Sequence, residues 1–263
     1  MNESEFKLAN APIVEAVLGV ECDLPPGQQL AAFEGPARDL FRDRYPKFRT
    51  QLVQEHQIAT KPGEPPNVSV RHGVQAYQFL QEDEKQLVQV RAEGFSFNRL
   101  SPYTTLDDYL PEIERTWHLY VGLASPVQIR LIRLRYINRI LLPMTAGRVQ
   151  LDDYLRVGPH LPDEEKLTFV SFLNQHVAVE VGTGHQVSIL LTAQAPEGDK
   201  RPVIFDNCVA AVEPGAPENW PWILGKIQAL RALKNRIFRN ALTDRCLNLF
   251  RQPQAFAGSA MLH

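Results

Sequence analysis

Apolar residues at every second position mark strands along this chain, and apolar residues three or four apart mark helices. In Pro12–Cys22, Val14, Ala16, Leu18 and Val20 share one face while Ile13, Glu15, Val17 and Glu21 share the other, predicting a half-buried strand. Leu30, Phe33, Ala37, Leu40 and Phe41 then step at helical spacing through Gln28–Arg44, where Gly35-Pro36 predicts a kink or break. Three strands are expected at Gln51–Thr60, Val68–Gln81 and Lys85–Arg99, separated by KPGEPPN and QEDEK. Thr105 with Asp108 is a capping-box pair for a helix whose stripe is Leu106, Tyr109, Leu110, Ile113, Trp117, Tyr120 and Val121. Pro111 is expected to separate the first turn of that helix from the rest.

After Ala124-Ser125-Pro126 the same order recurs. A strand is expected over Val127–Leu142, a short helix over Gln150–Leu155, and strands over Lys166–Val181, His185–Ala193 and Arg201–Val212. A long helix from Glu218 to Phe250 carries Ile223, Ile227, Leu230, Leu233, Ile237 and Ala241. The pattern predicts an α+β fold of two similar helix-backed antiparallel sheet units, each ordered strand, helix, three strands, helix, forming either one saddle-like continuous sheet or two sheets joined edge to edge. The expected divisions are 1–125, 126–252 and a loosely ordered tail over 253–263. The pentapeptide LDDYL occurs at Leu106–Leu110 and again at Leu151–Leu155, at inequivalent places in this order. Its adjacent carboxylates point about 100° apart on a helix, so each copy reads as a helix start rather than a paired acidic site.

Composition changes this picture little. The 263 residues are 44% hydrophobic and 22% charged, with a formal net charge of −2, so no global positive field draws nucleic acid or anionic lipid. The opening MNESEFKLAN lacks a basic flank and apolar run, and IRLIRLRYINRILLP is broken by four arginines, so neither a secretory signal nor a membrane span is expected. Three dispersed cysteines, Cys22, Cys208 and Cys246, read as buried thiols, and a cytoplasmic location is expected.

The common catalytic signatures are missing from the sequence: there is no GxSxG elbow, HExxH, CxxC, DxDxDG loop or phosphate-binding glycine loop. No catalytic residue, metal ligand or cofactor site is therefore assigned. His176 and His185 lie on adjacent expected strands and could meet across a hairpin, although two ordinary surface histidines are the expected reading. The most unusual stretch is Ile129–Ile140, where Arg133, Arg135 and Arg139 share a strand face opposite Ile132, Leu134, Tyr136 and Ile140. Arg91, Glu93 and Arg99 are expected to share a face with Phe95 and Phe97 on the preceding strand. Such a surface either binds carboxylate or phosphate, or is a salt-bridged outer face closed by Glu15, Glu21 and Glu93. On the last helix, Arg231, Arg236 and Arg239 lie away from the apolar stripe, with Arg245 nearer its edge.

Three stretches taken together, Asn10–Val17 (NAPIVEAV), Phe95–Trp117 (with FNRLSPY) and Leu134–Pro143 (LRYINRILLP), resemble a sporadically distributed bacterial family of uncharacterised proteins. The resemblance spans nearly the whole chain. It implies no activity, cofactor or catalytic residue, and its patchy distribution implies an association with defence or mobile genes. It directs attention to Arg99, Tyr103, Arg135, Tyr136, Asn138 and Arg139; were the fifth strand beside the sixth, Arg99 and Arg139 would approach one end of the sheet.

The expected function is a non-catalytic protein-binding or adaptor module that engages a protein partner or itself, with no membrane role. Its candidate contact residues are Arg91, Arg99, Tyr103, Arg133, Arg135, Asn138 and Arg139. The alternatives are a nucleic-acid or nucleotide binder using the same arginines, which the acidic balance does not favour, and an enzyme with an unfamiliar acid–base site.

Overall fold

A computed structural model describes residues 8–59, 67–163 and 166–251. Among these residues the chain forms an α+β fold with one open, nine-stranded antiparallel sheet. In chain order the strands are β1 (Ile13–Asp23), β2 (Lys47–Ala59), β3 (Asn67–Leu80), β4 (Gln86–Arg91), β5 (Gly94–Leu100), β6 (Gln128–Pro143), β7 (Leu173–Val179), β8 (Gln186–Ala193) and β9 (Lys200–Ala211). The helices are α1 (Glu34–Phe41), α2 (Leu106–Ala124), α3 (Trp220–Ala241) and α4 (Asp244–Arg251).

Across the sheet the order is β2-β3-β4-β5-β1-β6-β9-β8-β7. Each half lays its first strand innermost and its last strand beside it, then works outward, so the topological repeat expected from the pattern is present. The first half has one strand more than expected, because Lys85–Arg99 is a hairpin. The backbone turns at Ala92-Glu93, and Arg91 pairs with Gly94. Gly94 makes this reversal feasible. Its φ is +143°, and a Cβ there would sit 2.1 Å from the Val20 carbonyl oxygen, so only glycine lets β5 approach β1 this closely. The approach is closed by a 2.8 Å hydrogen bond from the Cys22 N–H to the Glu93 carbonyl.

Two compact units are recognisable. One takes its described residues from within Ala16–Leu134 and Ala210–Ile227, the other from within Met1–Glu15, Arg135–Val209 and Gln228–His263. They are called here the β2–β5 unit and the β7–β8 unit. The changeovers fall inside β1, β6, β9 and α3, while Ser125-Pro126 marks the end of α2 and the approach to β6.

In the β2–β5 unit, α2 lays Ile113, Trp117 and Tyr120 onto the sheet, with the Phe95 and Trp117 rings 5.6 Å apart. Burying each such side chain contributes about 2 kcal/mol. Thr105 and Asp108 form the expected capping box. Pro111 does not divide the helix. The hydrogen bond it cannot donate would go to Asp107, which lies on an exposed turn, and the packing beyond holds the helix together. Pro36 falls in the first turn of α1, after a separate 3-10 turn at Leu30–Phe33, so the expected break is there.

In the β7–β8 unit, Leu142, Leu191, Phe205, Phe238, Leu242 and Phe250 share one core. The helix expected over Glu218–Phe250 breaks after Ala241, whose carbonyl accepts from the Arg156 N–H at 2.8 Å. Thr243 restarts it, its hydroxyl accepting from the Cys246 N–H at 3.2 Å. The second LDDYL makes only a 3-10 turn without a side-chain cap, and Asp153 instead pairs with Arg245 at 2.5 Å. Of the strand expected over Lys166–Val181, only Leu173–Val179 pairs.

Candidate functional site

The arginine row on β6 alternates as expected, with Arg133, Arg135 and Arg139 opposite a buried face of Ile132, Leu134, Tyr136 and Ile140. The row is closed by acids. Arg133 pairs with Glu21 of β1 in the β2–β5 unit. In the β7–β8 unit, Arg135 donates to both Asp206 oxygens of β9 at 2.6–3.0 Å, and the carboxylate keeps the guanidinium still more firmly protonated. Arg139 donates to the Gln194 side chain at 3.2 Å and pairs with Glu197. Glu21 and Asp206 come from the strands on either side of β6, which pairing sets beside Arg133 and Arg135, and Glu197 comes from the turn between β8 and β9. A phosphate would have to displace them.

The remaining predicted residues scatter. Asn138 is 2% exposed and faces the core, its amide donating to the Tyr136 and Phe205 carbonyls at 3.2 and 3.0 Å. Its even position puts it with Tyr136, away from the arginines. Phe95 and Phe97 are buried, and Arg91 and Arg99 lie on opposite faces: the hairpin pairs Val90 with Phe95, so side-chain parity reverses at the turn. Arg91 pairs with Glu93 at 3.6 Å. Arg99 and Tyr103 do come together around Tyr109, the guanidinium 5.4 Å from its ring centroid and the Tyr103 ring 5.4 Å away. Arg99 also donates to the Pro102 carbonyl at 3.4 Å. Strand β1 lies between β5 and β6, so the adjacency of the fifth and sixth strands on which the approach of Arg99 to Arg139 was conditional does not occur.

Two acid-centred networks hold elements together. In the β2–β5 unit Glu112 accepts from Arg44, Arg115 and the Tyr45 hydroxyl at 2.6–2.9 Å. Burial works to raise its carboxyl pKa, but the Arg115 and Tyr45 hydrogen bonds and the adjacent cationic charges outweigh it and hold it below the usual value. Burial in turn pushes the Tyr45 hydroxyl up. In the β7–β8 unit Glu180 accepts from Thr183 at 2.5 Å and pairs with Arg236 of α3, and both hold its carboxyl low. His176 and His185 do not meet, because His176 pairs with Ile189 while His185 lies 3.5 Å from Glu180.

Burial pushes Cys22 and Cys246 up to about 12, which makes them poor sources of thiolate. The open pocket bounded by Arg148, Leu151, Asp152, Leu161, Leu167 and Phe169 contains none of the groups with displaced pKa values. Among the described residues no three His, Cys, Asp or Glu side chains gather as metal ligands, and no helix is long and apolar enough to cross a membrane.

One surface was not singled out by the sequence. Strand β7 ends the sheet, and Leu173, Val177 and Val179 are 69%, 74% and 61% exposed. The Phe172 carbonyl accepts from Ala193 at 3.2 Å and the Glu180 N–H donates to His185 at 2.8 Å, so even-numbered residues bond to β8. Alternation then turns the N–H and C=O groups of Leu173, Gln175, Val177 and Val179 outward. Backbone donors, acceptors and apolar side chains are thus offered along one edge. The signal in the sequence was LNQHVAV, a strand with no Lys, Arg, Asp, Glu or Pro.

Comparison with protein-family models, with curated proteins and with solved structures found no match, so a functional reading rests on the geometry above.

Proposed function

We propose that this chain is a non-catalytic binding module that engages another polypeptide by adding a strand at the edge of β7. The observation that carries this reading is the uncharged edge with exposed Leu173, Val177 and Val179. Strand addition draws affinity from main-chain hydrogen bonds and selectivity from alternate side chains, and β7 offers both. The closed arginine row favours protein recognition over phosphate binding, since its acids already satisfy the guanidinium groups. The buried position of the displaced-pKa cysteines and tyrosines gives no support to an acid–base enzyme.

Fluorescence anisotropy with labelled nine-residue peptides of alternating valine and threonine tests the reading. Binding is expected to be lost when alternate peptide amides are N-methylated. It is also expected to fall at least tenfold in Val177→Pro, which removes one outward N–H without touching the β8 ladder. Binding indifferent to both changes, or turnover by the purified protein, would overturn the proposal.

A further inference from the structure

Resting on that reading, we infer that the strand added at β7 is β7 of a second copy of this chain, paired antiparallel about a two-fold axis at His176. The outward groups are those of residues 173, 175, 177 and 179, because the even-numbered residues bond to β8, and these positions are symmetric about 176. Turning one copy by 180° sets Leu173 opposite the partner's Val179 and Gln175 opposite the partner's Val177, each as a hydrogen-bonded pair. All seven residues of the strand are used, and four pairs give about eight main-chain hydrogen bonds. The apolar ends of the strand, Leu173 and Val179, cover one another twice.

Charge supports a copy of the same strand as occupant. Residues 173–179 contain no Lys, Arg, Asp or Glu, so self-pairing sets no fixed like charges together, and the strand offers nothing to select a charged partner. The other sheet edge is built differently. On β2, Lys47 lies 3.4 Å and Arg49 2.5 Å from Glu84, and the pairing with β3 slips between Gln51 and Leu52. Charge and irregular register are the usual means of keeping an edge from pairing, and β7 has neither. A seven-residue contact is small beside a standard interface, so the dimer is expected to be reversible with a Kd on the order of micromolar.

The register makes a covalent test available. His176 faces its own copy across a non-hydrogen-bonded pair with Cα atoms about 4.5 Å apart. The two Ala178 residues lie four positions out of register, about 13 Å apart and beyond disulfide reach. The full chain is followed by sedimentation velocity over a hundredfold concentration range, and His176→Cys and Ala178→Cys are oxidised with dilute copper phenanthroline beside the wild type. The proposal expects mass rising towards a dimer, cross-linking of His176→Cys at least tenfold faster than of Ala178→Cys, and monomeric Val177→Pro and Val177→Lys with unchanged circular dichroism. A monomer at every concentration overturns it, as does a dimer that survives both Val177 variants, or equal cross-linking at the two positions. The peptide assay is run below the dimerisation range. Peptide binding by a protein that stays monomeric would remove the second copy alone, and loss of both signals would remove the edge reading with it.

Discussion

Of the ion pairs on β6, Arg135–Asp206 permits the sharpest energetic prediction, because its two members are buried unequally. The Asp206 side chain is 9% exposed and that of Arg135 is 45% exposed. Replacing Arg135 by methionine keeps most of the apolar stem but leaves a nearly buried carboxylate that has lost all three guanidinium hydrogen bonds. Removing one member of a buried pair costs roughly 3–5 kcal/mol, and the half-exposed arginine puts this case at the lower end, about 3 kcal/mol. Replacing Asp206 by asparagine leaves a guanidinium that water reaches and one acceptor oxygen still in place, a cost of about 1 kcal/mol. The double variant, with no charge left to orphan, should lose about 1–2 kcal/mol, less than Arg135→Met alone. Urea unfolding of the four proteins, with a common m-value as the check that the unfolding transition is unchanged, measures the cycle. Equal costs for the two single variants, or a larger cost for Asp206→Asn, would refute the assignment of Asp206 as the buried and dependent partner.

Three further outcomes are expected. Gly94→Ala must move the Val20 carbonyl and adopt a backbone angle nearly confined to glycine, costing about 3–5 kcal/mol, whereas Gly27→Ala, also at positive φ but with open space around it, should cost only about 1 kcal/mol in the same urea assay. The Glu112 carboxyl titrates below its ordinary 4.5 when folded, so its contribution is fully present above that pH and is lost as pH falls through the lower folded value. Glu112→Gln should flatten thermal stability against pH below 4.5, and an unchanged acid limb would count against the network. Labelled single-stranded and duplex DNA should show no salt-sensitive binding; affinity falling steeply between 50 and 200 mM salt, the range over which phosphate contacts are screened, would mean that the arginine row opens.

Much of the fold was legible because local pattern and final environment agree. β6 buries alternate residues as its sequence alternates, and Thr105 with Asp108 caps α2 through contacts three residues apart. What escaped depends on distant chain. The hairpin at Ala92-Glu93 brings Gly94 against Val20, more than 70 residues earlier, and nothing within Lys85–Arg99 announces that neighbour. The break after Ala241 depends on Arg156 taking the helix-end carbonyl. The arginine row was legible as a row, and Glu21 as one of the acids that would close it, but Asp206 and Glu197 were not, because sheet order brings the first to it and the turn after β8 the second. Asn138 enters the candidate set through the resemblance of Leu134–Pro143, although strand parity alone places it on the buried side with Tyr136. The β7 edge was hidden for the same reason as the acids: an alternating apolar strand reads as half-buried until the topology shows which strands come last.

The contrast between the two outer strands limits how far association through β7 can go. An open edge invites addition without end, since each added strand presents a fresh edge to the next. Here a two-fold pairing would use up β7 on both copies and leave outermost only β2, with its paired charges and its slip of register. A molecule with one receptive margin and one refractory margin can be joined once, and growth into a filament ends at two.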